Sequence, residues 1–135
     1  MRVVLDSNVF ISALISAGGA PHAIYRAWRE RRFVLVTSAV QIAELRRASR
    51  YPKLRAIVPA REFGMLLNRL HGALVLRRLP KLELSADPDD NYLLATARAG
   101  EADFLVTGDA KHLLRLRHLG RTRILAPAAF LRAIG

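Results

Sequence analysis

The sequence has no cysteine, which removes disulfides and thiolate metal sites from consideration. It also lacks any apolar run near the roughly 18 residues that a membrane span needs. Its first apolar run stops at Asp6, too soon for the core of a signal peptide. A soluble protein of the reducing cytoplasm is the expectation. Glycine and proline are sparse, 8 and 6 in 135 residues, while 52% of residues are hydrophobic, so the chain should fold rather than stay disordered. That length fits a single domain over 1–135 with a real core. Aromatics make up 7% and do not interleave with the arginines, which argues against a base-stacking platform. Acids are few as well: 11 against 22 basic residues, a net charge of +11. Such a balance favours a polyanionic partner, usually nucleic acid. An arginine-rich composition that merely keeps the chain soluble accounts for the charge equally well.

What is present is an alternation of apolar runs and amphipathic stretches. Residues 2–5 read as a buried strand, followed by a helix from Asn8 to Ser16 that stops at Gly18-Gly19. Pro21 opens a second helix, with Ile24, Ala27 and Trp28 on one face, and Phe33 to Val36 reads as the second strand. Ser38 with Gln41 forms a capping-box pattern that launches a helix to about Arg50. A helix over 60–71 and a strand over 73–77 follow. Then come a helix from Asp87 to Ala99, a strand at Phe104–Val106, a short helix over 110–116, a strand at Arg123–Leu125 and a helical turn after Pro127. This rhythm predicts an α/β fold, a three-layer α/β/α sandwich around a mostly parallel sheet of about five strands.

The acids are informative in that frame. Asp6 ends the first strand and Asp109 lies just past the fourth, and ligands of open parallel sheets bind outside the carboxyl ends of strands. Glu44 rides the helix leaving the second strand, in one row with Val40 and Ala48. Asp90 sits in the first turn of the helix after the third strand. Four carboxylates on one rim repel one another and are expensive to bury. A hard divalent cation, Mg²⁺ or Mn²⁺, removes that penalty and can generate and orient a hydroxide at a phosphodiester. Acids inside and arginines outside are what a metal-dependent nuclease requires.

Each acid alone has a simpler explanation. Asp87 suits an N-cap with Pro88 at the first helical position, and the helix dipole favours Asp89 and Asp90. Asp109 suits a cap, and Glu44 an exposed helix acid. Asp6 is the hardest to dismiss, because an acid ending a buried strand needs a partner. None of these explanations predicts four acids at one sheet edge.

Four segments carry a family resemblance: Val3-Val4-Leu5-Asp6-Ser7-Asn8-Val9, Ser38-Ala39-Val40-Gln41-Ile42-Ala43-Glu44-Leu45, Asp87-Pro88-Asp89-Asp90-Asn91-Tyr92-Leu93-Leu94-Ala95-Thr96-Ala97, and Ala102-Asp103-Phe104-Leu105-Val106-Thr107-Gly108-Asp109. In this order and spacing they resemble the PIN-domain family, especially its VapC-like toxins of toxin–antitoxin systems. The resemblance implies a ribonuclease using one or two Mg²⁺ or Mn²⁺ ions, with Asp6, Glu44, Asp90 and Asp109 as the acidic cluster. It implies that Asn8 and Thr107 support the site by hydrogen bonding, and it leaves Asp87 as an outer ligand. It further implies an RNA substrate, a cognate antitoxin and a homodimer. One departure stands out: Ala110-Lys111-His112 follows Asp109 where relatives often carry a further Asp.

Three basic groups are candidates for phosphate: Arg26-Arg29-Arg31-Arg32, Arg115-Arg117-Arg121-Arg123 and, on the Glu44 helix, Arg46, Arg47 and Arg50. Each is equally readable as a solvated surface. A haloacid-dehalogenase-type phosphatase would want an acid where Asn8 stands, and a receiver would want an acidic pair and a late lysine. A catalytically silent binding module on the same fold remains the alternative to the nuclease.

Overall fold

A computed structural model describes residues 1–85 and 87–135. The chain runs β1 (Arg2–Leu5), α1 (Ser7–Ile15), α2 (Ala20–Arg29), β2 (Val34–Ser38), α3 (Ala39–Ala48), α4 (Pro52–Arg55), α5 (Ala60–Leu70) and β3 (Leu74–Leu76). It continues through α6 (Pro88–Ala99), β4 (Phe104–Val106), α7 (Leu113–Leu116), β5 (His118–Leu119), β6 (Thr122–Leu125) and α8 (Pro127–Ile134). The sheet order is β3-β2-β1-β4-β6-β5, parallel throughout except for the β5–β6 hairpin. The expected α/β/α architecture is therefore present, with a six-stranded, mostly parallel sheet.

Successive strand residues point to opposite faces, and the core divides accordingly. Val3 and Leu5 of β1, Leu35 of β2 and Val106 of β4 join one buried cluster with Phe10, Ile24, Leu45, Leu66 and Phe130, from α1, α2, α3, α5 and α8. Val4, Val36, Leu105 and Ile124 join a second cluster, with Leu93, Leu94 and Ala97 of α6 and Leu113 of α7. Because both faces are covered, the strands read as unbroken apolar runs. The α6 helix ends at Gly100, pressed so closely on β2 that a Cβ there would stand 2.5 Å from Val36 Cγ1.

Several boundaries differ from the sequence expectation. The α3 helix stops at Ala48, so Arg50 lies beyond it, and its predicted capping box forms only by half. Ser38 Oγ accepts the Gln41 backbone N–H at 3.2 Å, but the Gln41 side chain turns inward. The extra strand β5 is only two residues long, too short for a periodicity signal. The short helix α4 also lies outside the expected elements, although Pro52 at its start was a usable cue. The helix after Asp109 begins only at Leu113.

Candidate active site

Strand order explains why Asp6 and Asp109 meet. β1 and β4 are neighbours in register Leu5↔Val106, so the residues following them emerge side by side. The Asp6 N–H donates to Val106 O at 2.9 Å, continuing the ladder past the strand end. Thr107, fully buried, ties both acids together: its Oγ1 donates to Asp6 Oδ2 at 2.8 Å and accepts the Asp109 N–H at 3.0 Å. Asp6 also N-caps α1, taking the Asn8 N–H on Oδ1 at 3.3 Å. Asp109 takes the N–H groups of Lys111 and His112 on Oδ1, at 3.1 and 3.2 Å.

Glu44 arrives from α3, beyond neighbouring β2. Its Oε2 accepts from Ser7 Oγ at 2.8 Å and from the Tyr92 hydroxyl. Behind Ser7 stands Gln41, 1% exposed, whose Nε2 donates to Leu5 O at 2.6 Å and to Ser7 Oγ at 3.4 Å. Thr37 Oγ1 completes the chain by donating to Gln41 Oε1 at 2.6 Å. A buried polar relay thus runs from β2 through α3 and α1 to the carboxylate. Every member is satisfied, the condition under which such a network rigidifies instead of destabilising.

Asp90 enters from the first turn of α6 and is buried, accepting from Ser85 Oγ at 3.2 Å. Asn91 holds the approach to that helix, accepting the N–H groups of Leu84 and Ser85 and donating to Ser85 O at 3.0 Å. Asp87 N-caps α6 through the Asp89 N–H at 3.0 Å.

These elements enclose a pocket of about 210 Å³ lined by Asp6, Glu44, Asp87, Asp89, Asp90 and Asp109, with Asn8, Tyr92 and Leu93. Six of the chain's 11 acids face one small space with no basic residue in its lining, which neither capping nor dipole arguments require. Burial raises the Asp6 carboxyl above its ordinary value, and the charges of Glu44 and Asp109 add to that. Burial and the neighbouring Asp109 charge push Asp90 up to about 6. For Asp109 burial also acts upward, but the His112 N–H, the Asp90 hydroxyl and the Lys111 N–H outweigh it, leaving Asp109 below the usual range. Below about pH 6 a proton held by this pair therefore resides on Asp90. Burial and the Glu44 carboxylate raise Tyr92, keeping it a hydrogen donor.

All four acids expected from sequence, together with Asp87, therefore reach one pocket. Asn8 stands at its exposed rim, where its backbone N–H, rather than its side chain, makes the hydrogen bond to Asp6. Arg46, Arg47 and Arg50 are exposed and outside the pocket lining. Sequence reasoning missed Thr37, Ser7, Gln41, Tyr92, Ser85 and the pocket-facing role of Asp89. Gln41 left a trace: it shares a row with Leu45 and Ala48 at i+4 and i+7, both buried, so an amide occupies a core position. Nothing in the sequence alone pairs Tyr92 with Glu44.

The donor set is entirely oxygen, the chemistry that suits a hard cation. Among the described residues, no three Asp, Glu or His side chains close around one point tightly enough to hold an ion alone. No helix among them is long and apolar enough to cross a membrane.

Comparison with known proteins agrees with this geometry. The PIN-domain family model matches residues 2–111, which carry all four acids. An uncharacterized protein of Methanocaldococcus jannaschii is 32% identical over 119 residues, covering 87% of this chain and 76% of the relative.

Proposed function

The chain belongs to the PIN-domain family, a family of nucleases, and on that premise we propose that it is a divalent-metal-dependent endoribonuclease acting as the toxin of a toxin–antitoxin pair. The observation that carries the catalytic part is the convergence of Asp6, Glu44, Asp90 and Asp109 on one all-oxygen pocket. Asp6 and Asp109 would hold Mg²⁺ or Mn²⁺ directly, with Asp90 and Glu44 completing the shell. When bound, such an ion supplies Lewis acidity toward a phosphodiester and a water of lowered pKa. Since the side chains do not close around one point unaided, water would remain among the ligands.

The chain's own residues prepare this site in three ways. Thr107 fixes the spacing of Asp6 and Asp109 through one hydroxyl. Ser7 and Tyr92 both engage Glu44 Oε2, which leaves Oε1 to orient a water or accept its proton. Asp90 holds a proton below about pH 6, so metal uptake in that range would release protons. The toxin role, a cognate protein antitoxin and a homodimer rest on the family resemblance of the four motifs, and a cytoplasmic location on the lack of cysteine and the short first apolar run.

The test is cleavage of labelled single-stranded RNA with Mg²⁺ or Mn²⁺, with chelator, and with Asp6→Asn. Metal-dependent cleavage that the variant loses is the expected result. Cleavage persisting in Asp6→Asn would overturn the assignment. Mn²⁺ binding without cleavage of any of several RNAs would favour a silent binding module.

A further inference from the structure

A second cavity lies at the opposite end of the strands. It occupies about 690 Å³ where β2 and β3 begin, with Trp28, Arg29, Arg31, Val34, Arg69 and Leu74 among its lining residues. We propose that this cleft is a second nucleic-acid subsite, which takes a single-stranded RNA segment by its phosphates and base faces. The identity of this polyanion rests on the nuclease reading above.

Three guanidiniums line the cleft and no carboxylate does. Among the described residues the ion pairs are Lys81–Glu83 and Arg121–Asp103, so none of the three is neutralised within the chain. Glu30, the nearest acid in sequence, is outside the cleft lining and forms no ion pair among the described residues, although Arg29 also borders the neighbouring pocket that Glu30 lines. Arg69 is held in place: Nη1 donates to the Tyr25 hydroxyl at 2.7 Å, and its guanidinium lies 5.7 Å from the Tyr25 ring centre. That bond uses one of five N–H donors and leaves the others for an acceptor. The floor, in contrast, is apolar, with Val34 50% and Leu74 37% exposed. A purely apolar ligand would leave the guanidiniums uncompensated, and a bare inorganic anion would leave the floor uncovered. A nucleotide strand satisfies both, with phosphates for the arginines and base faces for Val34, Leu74 and Trp28. Strand β2 has five residues, so the cleft lies about 15 Å from the acid pocket. One strand can engage both only if it is several nucleotides long.

Trp28 is the only tryptophan of the chain and lines this cleft, so its fluorescence gives a local readout of binding there. The experiment titrates an eight-nucleotide single-stranded RNA into the full chain with chelator present, following Trp28 emission and, separately, anisotropy of a labelled RNA. A saturable Trp28 change that coincides with the anisotropy curve is expected. Arg29→Gln with Arg31→Asn, an amide that tolerates the left-handed backbone at this position, should weaken both curves by about tenfold or more. Adding Arg69→Gln should lower the salt slope by about 2, for three phosphates on a single strand. Removing three exposed arginines elsewhere, Arg55, Arg61 and Arg78, should leave the Trp28 midpoint within about threefold. RNA that binds while Trp28 stays silent, or equal weakening by the two triple variants, overturns the proposal. So does polyglutamate matching the RNA in affinity and Trp28 response, which would make the cleft a site for acidic peptides. Because these readouts need no cleavage, a responsive cleft in an inactive chain would count against the nuclease reading only.

Discussion

At the carboxyl ends of the strands six carboxylates surround a pocket of about 210 Å³, while at the amino ends three arginines surround a cleft of about 690 Å³. The two ends are built differently. All but Glu44 sit on short aspartate side chains at strand ends and helix starts, and hydroxyls and backbone N–H groups hold the carboxylates of Asp6, Glu44, Asp87, Asp90 and Asp109. The arginines reach the cleft on long stems, and among the described residues only Arg69 has a side-chain hydrogen-bond partner. Like charges packed at short range would splay apart without scaffolding, whereas long solvated side chains need none. An isolated acid at the amino end shows the ordinary alternative. Asp103 accepts the Arg2 N–H at 2.8 Å and pairs with Arg121 at 2.7 Å, so its carboxyl stays below the usual range.

The largest expected effect separates the two ends. Asp6→Asn should lower RNA cleavage by more than about a hundredfold, because even outer-shell changes at metal sites cost 10–100-fold. The Trp28 response should be unchanged in that variant. Loss of both together would mean that the two ends form one site, and the contrast would collapse.

The relay behind Glu44 should come next. Tyr92→Phe removes one of two donors to Oε2 without changing shape, and about a tenfold fall in kcat with little change in KM is expected. A merely structural tyrosine would instead lower thermal stability and leave the metal dependence of kcat alone. Gln41→Leu should be worse for folding, since Leu5 O and Thr37 Oγ1 lose their partners in the interior. About 1–3 kcal/mol of destabilisation, read by urea denaturation, is expected.

A pH effect on stability should distinguish the acid end from the basic one. Asp90 titrates near 6 in the folded chain, against an ordinary 3.8. Between those values the folded state holds a proton that the unfolded chain has lost. Stability of the metal-free protein should therefore fall as pH rises from about 4 to about 6. The shift amounts to about 3 kcal/mol at most. Asp109, lowered within the same pair, gains its stability below about pH 4, outside this window, but solvent screening of the pair should reduce the decline to roughly 1–2 kcal/mol. Asp90→Asn should reduce this decline, leaving the part that the raised Asp6 carboxyl contributes, and make the metal-free protein more stable at neutral pH. A flat profile in the parent chain would show that burial and the Asp109 charge do not raise Asp90 in this pocket.

How much of this was legible depended on the range of each interaction. Strand ends follow from local apolar runs, so Asp6 and Asp109 could be placed on one edge without knowing the strand order. The α6 start was marked by Asp87-Pro88, which located Asp90. The partners of these acids were another matter. Thr107 to Asp6 spans 101 positions and Tyr92 to Glu44 spans 48, and no local pattern encodes such pairings. Gln41 was misread because Ser38 three residues earlier offered a local partner, while burial against Leu5 O decided the outcome. The cleft was hidden for the same reason: Arg29 and Arg31 fell in a basic run, but Arg69 joins them only through the placement of α5 beside α2.

The smallest expected effect tests the two polar residues on which the resemblance placed supporting roles. Thr107 is fully buried and serves both aspartates through its hydroxyl, so Thr107→Val strands a carboxylate oxygen and a backbone N–H together. That variant should lose about 1–3 kcal/mol and cleave poorly. Asn8 is exposed, and its contribution to Asp6 comes from the backbone, which Asn8→Ala preserves. Its stability should stay within about 0.5 kcal/mol of the parent. If Asn8→Ala nonetheless cuts cleavage as deeply as Thr107→Val at unchanged stability, the amide must reach substrate or a metal-bound water. The rim of the acid pocket would then belong to the reacting machinery, and the contrast between a fixed acid end and an adaptable basic end would need a third, solvent-facing element.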